Sequence, residues 1–458
     1  MKKLQVVFIA LFFVLLALPL VFFNWEENVV SEIDNRQLTN NPFGPNAEPG
    51  TDLTASLESY VQDRIGFRDE MILGYTLLND QLFHKMIHPL YEYGKDGYVF
   101  FKQKQNVQFG DYHIAFAEML AEIQDYCQAR DVPFLFVLNP EKAAVYPDKL
   151  RDGIHYDRSW VQQFEQKLDE LGVNYIDNTQ LLQDRRAGGE QVFNKVYNAG
   201  HWNDLGAFYG VNNILESLSG FFPSIQPNEL GDFAVTETLQ ETLLSSQFPI
   251  HEYEPTFGRL CELEVKTEEY DAEVARNSQH RGFGYFVNPE NVAAGAPKTL
   301  VFQGSYMNEM GFKFLQTGLG EYIYVHNYEN LMDFDYYFNI FQPECVVVEV
   351  AEYTVNSGYF NAERVENFSL NPVLTLDDAA RQADKQSLAP QIAEGERLST
   401  LTVSLPEGTR YAYLLSEGRT FDLIEGEQGW QASVEKENFS ADYTVVAVGA
   451  DGEQTRYR

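Results

Sequence analysis

Apolar residues are laid along this chain in three different patterns. From Leu4 to Phe23 they form a run broken only by Gln5 and Pro19. A helix rising about 1.5 Å per residue over that stretch spans a hydrocarbon core of about 30 Å. Lys2 and Lys3 precede the run, and Glu26 and Glu27 follow it. Positive charge on the cytoplasmic side then places the N-terminus inside and the body outside the membrane. A cleaved signal peptide is the rival reading. It needs a shorter apolar run ending in an A-x-A-like site, and Ala17-Leu18-Pro19 followed by the bulky Phe22-Phe23-Asn24-Trp25 fits that poorly. Residues 4–23 are therefore expected to be a transmembrane anchor, and the Asn-, Pro- and Gly-containing residues 24–55 a tether.

The second pattern is an alternation of helical and strand periods between residues 56 and 372. Leu57, Tyr60, Ile65, Phe67, Ile72, Tyr75 and Leu78 fall near helical spacing, with a break at Gly66. "YGKDGYVFF" reads as a turn at Asp96-Gly97 running into a strand. Helices are then predicted at about 112–130, 158–171 and 203–218, and after strand 299–303 a further helix through Lys313. The strands are the apolar runs 132–138, 173–177, 299–303 and 345–352. Short buried strands alternating with helices predict an α/β fold with a mainly parallel sheet flanked by helices. Residues 223–298 are aromatic, acidic and weakly periodic, and read as an insertion on the rim of that sheet.

The third pattern is β alternation with turn signals. "LSTLTVSLPEG", "RYAYLLS" and "ADYTVVAVGADG" predict a small β-sandwich over 394–458. Residues 373–393 before it are polar and read as helix or linker.

Composition narrows the class. At 44% hydrophobic and 14% aromatic residues the body is globular, and 458 residues exceed one comfortable core. A net charge of −35 repels nucleic acid and anionic lipid, so no nucleic-acid partner is expected. Cys127, Cys261 and Cys345 are odd in number and lack metal-like spacing. Cys127 and Cys345 read as buried small hydrophobes rather than parts of a disulfide framework.

Ligands of a parallel sheet bind beyond the carboxyl ends of its strands. Three strand or turn ends carry candidate chemistry. In "LVFQGSYMNEM" a strand ends at Gln303, Gly304 permits a turn, and Ser305 opens a helix. There its hydroxyl is exposed and the first free N–H groups can hold an oxyanion; the plain alternative is an N-cap serine. In "YNAGHWNDLGAF", His201 follows a Gly turn and is the usual base for a serine, against the plain alternative of a loop histidine. Asn139 ends a buried strand in "FVLNPEKAAVYPDKL" and is placed to donate to an oxyanion, or simply to form the turn before Pro140. His84 and His88, four apart in "HKMIH", have metal-compatible spacing without an evident third ligand, and no metal site is expected. Glu349 and Glu352 end a strand facing the same region.

The segments "DRIGFRDEMI", "YGKDGYVFF", "NPEKAAVYPDKL", "GHWNDLGAF", "LVFQGSY" and "VVVEVAEY", with "SEIDNRQL" after the anchor, resemble in kind and order the AlgJ/AlgX-like and DHHW families of exported SGNH-hydrolase-like proteins. The resemblance spans residues 30–360. It implies an SGNH-hydrolase-like α/β domain and O-acetyl transfer or esterase chemistry on a cell-surface or exported polysaccharide, without a cofactor. His201-Trp202 matches the family's His-Trp, and Ser305 its nucleophile. Two departures stand out. The family's Asp two residues before the histidine is Ala199 here, with Asn198 one further back, and Gly304 stands where Asp is common. In a serine triad, replacing the acid by an amide costs about four orders of magnitude. Asn198 is the available ring-orienting group, and Asp204 or Asp177 are candidate substitutes for the acid. Two functions follow: an extracytoplasmic acyl transferase or esterase, fed by a multi-pass membrane acyltransferase, or a glycan-binding scaffold that has kept the fold without turnover.

Overall fold

The chain, as a computed structural model, is described at residues 2–31, 33, 36–47, 52–88, 90–102, 107–243 and 248–458. Residues 32, 34–35 and 48–51 of the expected tether lie outside that set. Helix α1 is Lys2–Val21, and its side chains from Leu4 to Val21 are exposed apart from Pro19. It is one helix long and apolar enough to cross a membrane by length and composition. Helices α2 (Leu53–Arg64) and α3 (Arg68–Phe83) follow, with the expected break at Gly66.

The body then alternates. Helix α4 (Asp111–Gln128) leads into strand β1 (Phe134–Asn139), helix α5 (Ser159–Leu171) into β2 (Tyr175–Asp177), and helix α6 is Asp204–Ser219. After a long ribbon come β3 (Glu264–Val265), β4 (Phe283–Val287), β5 (Lys298–Gln303), β6 (Glu321–His326), helix α7 (Phe334–Phe341) and β7 (Cys345–Ala351). The sheet order is β2-β1-β7-β5-β6-β4-β3. The first five strands are parallel, while β4 and β3 close one edge antiparallel. Alternate side chains of a strand point to opposite faces, and here both faces are apolar. Phe134, Phe136 and Leu138 pack under α4 and α5, while Leu135 and Val137 pack under α6. Each such buried side chain contributes roughly 1.5–3 kcal/mol, which is why these strands read as continuous apolar runs. Cys127 and Cys345 are small members of the same two clusters.

Four readings are revised by the structure. The described residues between 24 and 47 are not a free tether. The guanidinium of Arg64, fully buried, donates to the carbonyls of Glu26, Leu38 and Thr39, and Asp63 accepts from Arg36 and the Thr39 N–H. A buried charge must be satisfied, so the segment wraps around α2. Residues 223–298 are not all a rim insertion, since β3 and β4 complete the main sheet. The segment 233–259 is a two-stranded ribbon, Phe233–Thr242 against Pro249–Arg259. Within 373–393, strands Arg381–Ala383 and Gln391–Glu394 join the C-terminal sheet. That sheet has eight strands between Arg381 and Tyr457 around one core. Strand Arg419–Gly426 pairs with Thr409–Ser416 through Arg419–Leu423 and with Gly429–Glu435 through Ile424–Gly426. The two layers expected there are the halves of one bent sheet. It is held to α4 and α7 by Tyr126 donating to Asp422 at 2.6 Å and by paired Asn339–Asp422 backbone–amide bonds of 2.8 and 3.0 Å.

Candidate active site

Strand β5 delivers its last residue, Gln303, to the carboxyl edge of the sheet, and Ser305 opens the helical segment that follows. Gly304 is not in left-handed backbone, and a Cβ there would meet only ordinary contacts of 3.4 Å or more. Its part is played by its N–H, which donates to Glu349 Oε2 at 2.8 Å. Glu349 projects from neighbouring β7 and is fully buried. Burial pushes its carboxyl up to about 7, against the opposing pull of the Gly304 N–H and the Asn139 amide. Asn139 therefore does not take the expected oxyanion role. It is wholly buried, its Nδ2 donates to Glu349 Oε1 at 2.7 Å, and its Oδ1 accepts from Asn178 at 2.8 Å.

His201 comes from the turn before α6. Asn203 caps that helix, accepting from the Gly206 N–H at 3.0 Å. Gly200 is required for space, because a Cβ would lie 1.7 Å from the Phe101 ring. Trp202 Nε1 donates to the Tyr306 carbonyl at 3.1 Å, and the Tyr306 hydroxyl bonds the carbonyls of Pro140 and Gly200. Residues on either side of His201 and next to Ser305 thus lock the two turns together. The result is a 2.8 Å contact between His201 Nε2 and Ser305 Oγ.

Behind the ring, His201 Nδ1 is 2.8 Å from Asn198 Oδ1. The amide oxygen accepts, so the proton sits on Nδ1 and the Nε2 lone pair faces the serine. Asn198 adopts a φ of +47°, a conformation asparagine tolerates. Its Nδ2 donates to Glu309 Oε2 at 2.9 Å, and that oxygen is 3.5 Å from His201 Nδ1. A carboxylate thus stands behind the histidine at one remove. Burial lowers the His201 pKa, with Glu309 opposing, which keeps the imidazole neutral as a base requires.

Glu309 went unread in the sequence, although a spacing of four after Ser305 on a helix was legible. What was not legible is the π turn over Met307–Gly311 that carries it. Tyr353, also missed, places its hydroxyl 3.1 Å from Ser305 Oγ, and burial raises its pKa so that it keeps its proton. The ribbon supplies a third unread residue. Glu252 accepts the N–H groups of Lys195, Val196 and Tyr197 at 2.6, 2.8 and 2.6 Å, clamping the chain just before Asn198.

Residues 92–290 match the family model described as SGNH hydrolase-like domain, acetyltransferase AlgX. The matched segment is an SGNH hydrolase-like domain. The match takes in Asn198 and His201 and stops short of Ser305 and Glu309. No curated protein matches the chain. Solved structures similar to it include a DHHW family protein from Eubacterium siraeum, at 14% identity and a TM-score of 0.42, over 62% of this chain and 100% of that one. The O-acetyltransferase domain of Pseudomonas putida AlgJ matches at 15% identity and a TM-score of 0.41, over 61% and 99%. Pseudomonas aeruginosa AlgX matches at 15% and 0.41, over 80% and 89%.

In this SGNH hydrolase-like domain the position two before the histidine cannot serve as the acid's place. Ala199 is buried beside Met86, Tyr91 and Val99, an apolar cluster that a carboxylate would enter only at high cost. The other candidates for the acid are engaged elsewhere. Asp204 accepts from Lys313 and the Phe257 N–H, and Asp177 pairs with Arg158. Glu352 accepts from Arg158, Tyr156 and the Glu141 N–H, each at 2.7 Å. His84 is exposed at the end of α3, while His88 is buried with Nδ1 accepting from the Leu90 N–H. Among the described residues no three His, Cys, Asp or Glu side chains converge as a metal site.

Proposed function

We propose that this protein is an acyl transferase or esterase that moves acetyl groups on an exported or cell-surface polysaccharide, with Ser305 as nucleophile and His201 as base. The observation that carries the reading is the 2.8 Å Ser305–His201 contact backed by Asn198 and Glu309. The acetyltransferase description of the matching family supports the reaction class. The apolar helix α1 supports a position at the outer face of a membrane, where polysaccharide is at hand.

In the proposed cycle, His201 Nε2 takes the Ser305 hydroxyl proton as Oγ attacks the acetyl carbonyl carbon. The oxyanion forms beside the Ser305 N–H, a first-turn donor without an intrahelical acceptor, and beside the Tyr353 hydroxyl. The donor oxygen leaves with the proton returned by Nε2, and the acetyl group stays on Oγ. A glycan hydroxyl, or water in the esterase branch, then gives its proton to Nε2 and attacks the acyl carbon; the bond to Oγ breaks and Oγ takes that proton back from Nε2, restoring serine and neutral histidine. Tyr353 and Tyr359, half-buried with ring centroids 5.9 Å apart, offer an aromatic wall to a sugar ring beside the nucleophile. A multi-pass membrane acyltransferase is the proposed source of acetyl groups.

The test is hydrolysis of an aryl acetate by the full chain, with intact-mass detection of an acetyl adduct. Wild type is expected to turn over and to carry the adduct, and Ser305→Ala and His201→Ala to do neither. Equal rates in wild type and Ser305→Ala would sink the catalytic reading. One observation favours the scaffold alternative: Asn198, not a carboxylate, holds the direct bond to the ring. Glycan binding without turnover in wild type would select it.

A further inference from the structure

Helices α2 and α3 are built inside out. Their buried positions are Tyr60, Asp63, Arg64, Thr76 and Asn79, four of them polar or charged. Their exposed positions include Leu53, Leu57 and Val61 on α2 and Met71, Tyr75, Leu78 and Leu82 on α3, at steps of three and four. A surface helix of a soluble body shows the opposite pattern, and a continuous exposed apolar stripe marks a surface that something covers.

What covers it follows from what the stripe is joined to. The Gly66 N–H, between α2 and α3, donates to the Pro19 carbonyl in the last turn of α1 at 2.9 Å. The Asn24 N–H donates to the Arg64 carbonyl at 2.8 Å, and the rings of Phe22 and Phe67 pack at 5.1 Å. Nor is there room to loosen this joint from the Gly66 side, where a Cβ would lie 2.6 Å from the Phe22 carbonyl. The turn between the two halves of the stripe is therefore packed directly on the end of the apolar helix. If α1 spans the bilayer, its end lies at the boundary of headgroups and acyl chains, and so does the Gly66 joint from which α2 and α3 run. Trp25, 72% exposed beside Phe23, has the amphipathic ring that settles at that level.

We infer that α2 and α3 form an interfacial helix pair, with Leu57, Val61, Met71, Tyr75, Leu78 and Leu82 buried in the outer boundary of a bilayer of neutral lipid. Insertion by an apolar face is a known mode for helices that lie in the membrane plane. Neutral lipid is the fitting surface, because Glu58, Asp69 and Glu70 flank the stripe and the chain carries −35 charges. The pair would fix the orientation of the body on the membrane, which α1 alone does not do. The inference rests on α1 spanning the membrane, part of the reading above, and the experiment separates the two.

The full chain, carrying Cys261→Ser, is placed in phosphatidylcholine nanodiscs with a nitroxide at one of Met71→Cys, Leu78→Cys, Leu11→Cys or Thr236→Cys. Collision with oxygen is compared with collision with an aqueous nickel chelate. Oxygen is expected to dominate at Leu11, Met71 and Leu78, and nickel at Thr236 on the ribbon. Nickel dominance at Met71 and Leu78, with oxygen dominance at Leu11, overturns the inference and leaves the anchor standing. Nickel dominance at Leu11 overturns both. Shielding of Met71 and Leu78 from both reagents means that protein, not lipid, covers the stripe, and also overturns it. Adding phosphatidylglycerol is expected to move the stripe toward nickel, and an unchanged ratio overturns the preference for neutral lipid.

Discussion

Replacing Glu309 with Gln tests whether a carboxylate one residue removed from the histidine does the work of a triad acid. The substitution keeps the shape and leaves an amide oxygen to accept from Asn198, so what it removes is charge. Two unit charges about 4 Å apart interact by about 1 kcal/mol in water and about 4 kcal/mol at an effective dielectric of about 20. Glu309 Oε2 lies 3.5 Å from His201 Nδ1, His201 is 8% exposed, and the Glu309 side chain is 37% exposed. The pair therefore falls between those limits, and the imidazolium formed in the transition state loses about 1–3 kcal/mol. At 1.36 kcal/mol per decade, kcat/KM should fall about 5- to 150-fold. That is well short of the roughly four decades lost when a directly bonded acid becomes an amide. Since Glu309 raises the His201 pKa, its removal should also move the acid limb of kcat/KM to lower pH. The assay is aryl acetate hydrolysis across about pH 5 to 9, with thermal unfolding as the check on folding. A rate within about twofold of wild type and an unmoved acid limb would refute the reasoning.

Three further outcomes follow from the same geometry. Gly200→Ala forces a Cβ to within 1.7 Å of the Phe101 ring; denaturant titration should show a loss of about 1–3 kcal/mol, with activity falling because His201 is the next residue. Glu252→Gln leaves one of three clamped N–H groups facing a donor, so hydrogen exchange at Lys195, Val196 and Tyr197 should quicken by about tenfold or more. Unchanged exchange there would mean the ribbon does not hold the loop. Glu349 has a folded pKa raised to about 7 by burial, above an unfolded value of about 4.3. Its stabilising contribution is present below about pH 4 and lost as pH rises through about 7. The difference in Tm between wild type and Glu349→Gln should accordingly shift against wild type between about pH 5 and 8, and a constant difference would contradict the assignment.

Much of the architecture was legible along the chain because each cue is local. The apolar runs at 132–138, 299–303 and 345–352 read as strands because both faces of the sheet are covered, as Phe134 to Leu138 show by alternating between the two core clusters. Ser305 and His201 were candidates from turn chemistry at strand and helix ends together with the family resemblance, and the structure brings them to 2.8 Å. The carboxylate behind the ring was not legible, because the residue two before His201 packs in an apolar cluster while Glu309 comes from another segment 108 positions along. Asn139 was misread because its local cue, a polar residue ending a buried strand, does not reveal Glu349 on the adjacent strand taking its amide.

By itself, then, the sequence determined the apolar anchor-like helix, the alternation of strands and helices and the C-terminal β region, and it marked Ser305 and His201 as candidates. These depend on period, propensity and turn chemistry, which act over a few residues. Only the tertiary structure decided that Ser305 and His201 meet, that Asn198 and Glu309 stand behind the ring, that Glu252 clamps the loop before Asn198 from a distant ribbon, and that apolar side chains of α2 and α3 are left exposed beside the end of α1. Those depend on which side chains meet across separations of 47 to 111 residues, and no local periodicity encodes that.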